Sequence, residues 1–239
     1  MSSITQVLRR SSRQSICFVL LALLVIVGGS TAGVISRSAI SSAASSRVGP
    51  EGVLIYDVPN LASAGSTLNG TPVDGITCRK ISNEVVKYHR HVHVEIFVKG
   101  KMFRLPAGIG ITKPMIHVKD KKGTFLDVGI YDCLYWLHTH VADGIIHIET
   151  PGERSFTLGE FFDIWNQPLG PNQVGPAKGK VVVYENGKRL VGNPRSTPLL
   201  PHADIQIDVG TPVVKFQPFH FKVTGGCGQG TTGCSLKTG

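Results

Sequence analysis

Apolar and polar residues alternate along several short stretches of this chain, which is the pattern of strands with one buried face. The clearest stretch is residues 85–98, VVKYHRHVHVEIFV, and the turn Lys99-Gly100-Lys101 after it predicts a hairpin with residues 102–105. A second hairpin is predicted over residues 180–190, where Asn186-Gly187 supplies the turn. Five other stretches predict strands, namely residues 53–58, 133–140, 144–149, 203–209 and 213–223.

Only one segment has convincing helical spacing. Thr157 is followed three residues later by Glu160, which is the form of a capping box, and the apolar residues after it recur at helical intervals. The 28 glycines and 14 prolines favour short strands and many turns. We therefore predict a mainly β protein, with a single sandwich or small barrel domain of residues 53–224 and one helix.

The first 35 residues predict a signal peptide or a signal anchor. Three arginines and no acidic residue precede the apolar run ICFVLLALLVIV at residues 16–27. Small residues at Ser30 and Ala32 suit cleavage after Ala32, whereas an uncleaved segment would anchor the chain in the membrane. Either alternative places the rest of the protein outside the cytoplasm. Residues 36–52 are predicted to form a flexible linker, and residues 225–239 a flexible tail rich in glycine and cysteine.

The charge argues against nucleic acid as a partner. The formal net charge is +9. Without the three leader arginines, the chain has 22 basic and 16 acidic residues. These charges are scattered, and no basic run with interleaved aromatic residues is present. The sequence identifies no protein partner.

Four cysteines follow the leader, an even number that suits disulfides in an oxidising compartment. Cys227 and Cys234 enclose a six-residue flexible loop and form the favoured local pair, which leaves Cys78 with Cys133. An alternative makes Cys133 a metal ligand together with His138, a spacing that occurs in copper sites.

Nine histidines are present, and their spacing within the predicted strands is the main functional signal. Side chains two residues apart on a strand project from the same face. Two strands therefore each present a histidine pair, and a third presents a histidine with a glutamate. The predicted metal ligands are His91, His93, His138, His140, His147 and Glu149.

Imidazole and carboxylate donors suit zinc or copper, with iron or manganese as alternatives. Glu95 and Asp143 are predicted to support the ligands from outside the coordination sphere, although Asp143 also fits a simple turn residue. His89 lies at the strand entrance and stays outside the predicted ligand set. The histidine pattern also fits two metal-free alternatives, namely a buried hydrogen-bond network and a face that becomes charged at acidic pH.

Three segments resemble a group of bacterial envelope proteins that carry N-terminal leaders. They are CLYWLHTHVADGIIHIETP at residues 133–151, YHRHVHVEIFVKGKMFRLPAGIGI at residues 88–111, and FTLGEFFDIW at residues 156–165. The resemblance implies an envelope location and no particular activity. In that group an acidic residue more often follows the HTH motif directly, whereas here Val141 follows His140 and the acid stands at Asp143.

These observations support three functional hypotheses. The first is an extracytoplasmic transition-metal-binding protein, a carrier or a sensor, that uses His-x-His pairs on adjacent strands. The second is a metalloenzyme with a mononuclear histidine-rich site and an open position for water or dioxygen. The third is a non-catalytic envelope interaction module whose histidines serve the core.

Overall fold

The long strand predicted around the histidine-rich stretch forms the centre of the protein. The computed structural model describes residues 47–50, 52–65, 68–80, 85–112, 116–119, 126–130 and 132–221. The strands are β1 (Arg47–Val48), β2 (Leu54–Ile55), β3 (Cys78–Arg79), β4 (Tyr88–Val98), β5 (Lys101–Phe103), β6 (Ile116–Lys119), β7 (Leu126–Ile130), β8 (Leu134–Tyr135), β9 (Leu137–His138), β10 (Ile145–Thr150), β11 (Leu169–Gly170), β12 (Gln173–Val174), β13 (Ala177–Lys178), β14 (Val181–Glu185), β15 (Lys188–Arg189) and β16 (Asp204–Val209). The helices are α1 (Leu158–Trp165) and a 3-10 turn at Pro194–Ser196.

Seven of these strands form the main sheet. Its order is β15-β14-β16-β4-β10-β9, and β5 pairs with the second half of β4. Strands β16 and β4 are parallel, whereas the other neighbours are antiparallel. The prediction of a mainly β protein with one α-helix is confirmed for the described residues. The barrel alternative is wrong for them, because this sheet ends at β15 and β9 and does not close; the sandwich stays a prediction.

One face of the main sheet is apolar and carries the core. On β4 this face presents Val92, Val94 and Ile96, and the neighbouring strands add Ile146, Ile148, Ile205 and Ile207. The buried face of α1, with Phe161, Phe162 and Trp165, belongs to the same cluster. Burying this apolar surface excludes water and drives the sheet and helix together. Because strand side chains alternate, the histidines of β4 project from the opposite face.

Helix α1 begins as its sequence predicts. Thr157 caps the first turn, its hydroxyl accepting from the Glu160 backbone N–H, and the Glu160 carboxylate accepts from the Thr157 backbone N–H at 2.7 Å. The helix ends at Trp165, because Asn166 adopts a left-handed conformation with φ +55°. This end lies three residues before Pro168, which cannot continue a helix.

Both predicted hairpins are present. Lys99 and Gly100 connect β4 to β5, and Asn186 and Gly187 connect β14 to β15. All four turn residues have positive φ, between +50° and +82°. This backbone matches the right-handed twist of the paired strands, and glycine adopts it without strain.

The strand predicted over residues 213–223 is wrong for its described part, because residues 213–221 form no regular secondary structure. We call these nine residues the C-terminal strap. Its backbone amides donate to side chains of β16, from Val214 to Asp208 at 2.7 Å, from Gln217 to Gln206 at 2.8 Å and from Phe219 to Asp204 at 2.6 Å. The strap is therefore held by side-chain acceptors, whereas a strand would be held by a backbone ladder.

The structure describes only part of the N-terminal region to which the predictions of a leader and a linker apply. Arg47 and Val48, which the sequence pattern assigns to the linker, pair with β2 as strand β1. The predicted leader at residues 1–35 and the tail at residues 225–239 lie outside the described residues. Within the described residues, no helix has the length and apolar character needed to span a membrane.

Candidate metal centre

Three adjacent strands bring five of the six predicted ligands together. Strand β10 lies between β4 and β9 and is antiparallel to both. In this register His147 lies directly opposite His91 on β4 and directly opposite His138 on β9. A row of three histidines thus crosses the sheet, and side chains opposite each other on neighbouring strands are within contact distance. Two residues from each histidine of this row, in one direction along its strand, a further donor follows, namely His89, Glu149 and His140.

The first half of the cluster gathers donors from β4 and β10. The Nε2 atom of His91 lies 2.9 Å from His89 Nε2 and 3.1 Å from His147 Nδ1. Glu149 Oε1 lies 3.2 Å from His89 Nε2 and 4.0 Å from His147 Nδ1. Four donors around one ion with metal–nitrogen bonds of 2.0–2.1 Å would be about 3.3 Å apart in a tetrahedral arrangement. The observed spacings are close to that value.

The second half of the cluster adds the pair from the HTH motif. His138 Nε2 lies 3.1 Å from His140 Nε2. The rings of both residues contact the His147 ring, with centroids 5.3 and 4.7 Å away. One ligand atom from each of His138, His140, His147 and Glu149 lies within 4.8 Å of the others, and the same holds for His89, His91 and His147. Either group is able to hold a metal ion.

One hydrogen bond fixes the orientation of the His138 ring. Its Nδ1 lies 2.8 Å from the Tyr135 carbonyl oxygen, which only accepts, so Nδ1 carries the proton. The lone pair is therefore on Nε2, the atom that faces His140. Ligand imidazoles in metal sites are commonly oriented in this way by a backbone carbonyl.

Burial keeps these imidazoles neutral. Removal from water lowers the pKa of His91 and of His138 to about 3 each, and it lowers the pKa of His147 well below its ordinary value. Burial is also the main cause that lowers the pKa of His89, against the attraction of Glu149. Neutral imidazole is the form that binds metal ions, and these four rings are already neutral at pH 7. Metal binding therefore does not have to displace the proton of an imidazolium ion.

The segment that carries the HTH pair is held from behind by residues 106–112. The Thr139 hydroxyl accepts from the Ile109 N–H at 3.0 Å and donates to the Pro106 carbonyl at 2.8 Å. Backbone hydrogen bonds join Thr139 to Gly108 and Ile109 in addition. Gly110 has φ +72°, and a Cβ there would overlap the Leu137 carbonyl oxygen, so only glycine allows this close approach.

His93 is not part of the cluster, although it shares the histidine face of β4. Its Nδ1 lies 2.9 Å from Asp204 Oδ1, and its ring stacks on Phe219 of the C-terminal strap at 3.9 Å between centroids. Its partner on β10 is Ile145, not a donor. In the structure His93 is therefore a buried histidine that pairs with a carboxylate and lies outside both donor groups.

The described contacts of the two predicted supporting acids are with groups outside the cluster. Glu95 is opposite Gln206 on β16, and its Oε2 is buried without a hydrogen-bond partner. Among the described contacts, no hydrogen bond or ion pair joins Glu95 to a cluster histidine. Asp143 accepts from the Ile145 N–H at 3.1 Å through Oδ1, which is the geometry of a turn residue.

The cysteines also resolve one alternative. Cys78 and Cys133 form a disulfide, with their Cα atoms 5.6 Å apart. The Cys133 sulfur is therefore not a thiolate ligand, and the copper-type alternative with His138 is wrong for this structure. Cys227 and Cys234 lie outside the described residues.

Two residues of this region were missed by sequence reasoning. His89 belongs to the cluster, and its signal is the continuation of the two-residue period from His93 and His91. The Asp204 carboxylate accepts hydrogen bonds from the His93 ring and from the Phe219 N–H of the C-terminal strap. The sequence signal for this role is that Asp204, Gln206 and Asp208 recur at every second position of a strand whose six residues are all buried. Buried polar residues at a two-residue period predict a second polar surface against the sheet.

The comparisons with known proteins add no assignment. No protein-family model, no curated protein and no solved structure matches this chain. The fold and the cluster thus define the protein as a mainly β protein with buried histidine and glutamate groups that are able to hold a metal ion.

Proposed function

We propose that this chain is an extracytoplasmic transition-metal-binding protein. The observation that carries the proposal is the convergence of His-x-His from β4, His-x-Glu from β10 and His-x-His from the β9 segment. A single His91 nitrogen faces two other imidazole nitrogens within 3.1 Å. An imidazole nitrogen has either one proton or one lone pair, so it makes one good hydrogen bond. Hydrogen bonding therefore accounts for only one of the two contacts of this nitrogen. A shared cation serves all of them.

The donor set narrows the choice of ion. Nitrogen and carboxylate oxygen without thiolate favour zinc or copper(II), and they also accept iron(II) or manganese. The apolar N-terminal run supports the extracytoplasmic location, through export or anchoring. A carrier or sensor of such an ion fits these features. The metalloenzyme and the interaction module are the alternatives that the following experiment separates.

The test is the metal content of the full-length chain, purified without chelators and without a histidine tag. Bound zinc, copper, iron or manganese is expected in the wild type and is expected to be lost in His147→Ala, because His147 belongs to both groups of donors. His220→Ala is the matched control, since this histidine of the C-terminal strap belongs to neither group. A metal that binds only the folded state also raises the thermal midpoint.

Two outcomes separate the hypotheses. Unchanged metal content in His147→Ala, or no binding and no thermal stabilisation with any of the four ions, would refute the proposal and favour the interaction module. Metal binding accompanied by turnover of a hydrolysable or oxidisable substrate would favour the metalloenzyme over the carrier.

A further inference from the structure

The cluster contains more donors than one ion uses. Five imidazoles and one carboxylate converge, whereas a tetrahedral zinc site takes four ligands. A single tetrahedral ion would therefore leave two of the six donors outside its coordination sphere. The donors also divide into two sets by distance, a β4 set of His89 and His91 and a β9 set of His138 and His140.

The middle strand is placed to serve both sets. His147 lies opposite His91 on one side and opposite His138 on the other. Its Nδ1 faces the β4 set, at 3.1 Å from His91 Nε2, while the rings of the β9 set contact the same imidazole. An imidazole has two nitrogens on different edges of the ring, and each binds a metal once the remaining N–H proton has been released to solvent.

Glu149 follows the same logic. One of its oxygens lies 3.2 Å from His89 Nε2, and the residue also belongs to the donor group of His138 and His140. A carboxylate has two oxygens and is able to bind two ions. A bridging imidazolate and a carboxylate together supply two negative charges, which offsets part of the charge of two divalent ions in a site removed from water.

We propose that the cluster binds two metal ions that share His147 and Glu149. The first ion is held by His89, His91 and His147 Nδ1, and the second by His138, His140 and the other nitrogen of His147, while each ion takes one oxygen of Glu149. This inference rests on the proposed function and extends it from one ion to a two-metal centre.

The experiment measures stoichiometry in the full-length chain by titration with Zn²⁺ and by native mass spectrometry. Two equivalents are expected in the wild type. The variants His89→Gln/His91→Gln and His138→Gln/His140→Gln are each expected to retain one equivalent of Zn²⁺, because each variant removes the two histidines that bind only one of the ions. Circular dichroism establishes that both variants are folded, and the wild-type stoichiometry does not depend on them.

Three outcomes are distinguishable. One equivalent in the wild type, lost in both double variants, would overturn the two-metal centre and leave the proposed function intact. No metal in the wild type would overturn both. Two equivalents of Cu²⁺ with the electron paramagnetic resonance signal of two independent ions would overturn the shared His147, because a bridging imidazolate couples the two unpaired electrons and weakens that signal.

Discussion

Thr139 lies between the two histidines of the HTH motif, and replacing it with valine tests how this pair is positioned. The side chain is fully buried, and its hydroxyl makes two hydrogen bonds to the segment behind it. Valine has nearly the same shape, so the change removes the hydroxyl without opening a cavity. The expected loss therefore comes from the two backbone partners.

The magnitude follows from those partners. The Ile109 N–H and the Pro106 carbonyl are both on buried residues and lose their hydrogen-bond partner. An unsatisfied buried polar group costs about 1–3 kcal/mol, so with two such groups the expected loss of stability is about 2–6 kcal/mol. This is a large fraction of the roughly 5–15 kcal/mol that stabilises an ordinary domain. Because His138 and His140 flank Thr139, metal affinity is expected to fall about tenfold.

The assay is denaturant unfolding of the metal-free chain, followed by metal titration of the folded variant. Thr112→Val is the matched control on the same segment. The Thr112 hydroxyl donates to the Cys133 carbonyl, but the Thr112 backbone N–H donates to that oxygen as well, so the carbonyl stays paired. A loss below about 1 kcal/mol and no change in metal affinity are expected there. If Thr139→Val behaves like Thr112→Val in both measurements, the positioning argument is wrong.

Two further predictions concern the polar side of β4 and β16. Burial raises the pKa of the Glu95 carboxyl in the folded protein above its value in the unfolded chain. The contribution of Glu95 to stability is therefore fully present below the unfolded-state pKa, and it is lost as the pH rises through the folded-state pKa. Glu95→Gln is therefore expected to stabilise the protein at pH 7 and not at pH 4 in denaturant unfolding; equal effects at the two pH values would contradict this, and exposed Glu153→Gln is the control. Gln206→Leu removes the acceptor of the Gln217 N–H and the donor to the Val214 carbonyl, so faster amide hydrogen exchange is expected across the C-terminal strap, with β4 unchanged. Unaltered exchange in the strap would show that Gln206 does not hold it.

Local features of the fold could be predicted from the sequence because their physics is local. The strict alternation around Val92 and Val94 identifies β4, since a strand exposes successive side chains to opposite faces. The Asn186-Gly187 turn and the capping box of Thr157 and Glu160 are likewise set by residues within a few positions. These signals also place His89, His91 and His93 on one face, as the structure shows for β4.

The tertiary structure decided which of these histidines meet. His91 lies opposite His147, and His93 lies opposite Ile145 and Asp204. This difference depends on strand order and register, which arise from contacts between residues far apart in sequence, such as His93 and Asp204 at a sequence separation of 111.

The C-terminal strap shows the same limit. Its apolar alternation indicates a strand, but the edge position it would need is not available beside β16, which already pairs with β14 and β4. Its amides bond instead to side chains of β16. The sequence by itself determined the faces, the turns and the donor types. The assembled sheet decided which residues pair across neighbouring strands. A two-residue period specifies the face to which a side chain points, but it does not specify which strand lies beside it or in which register.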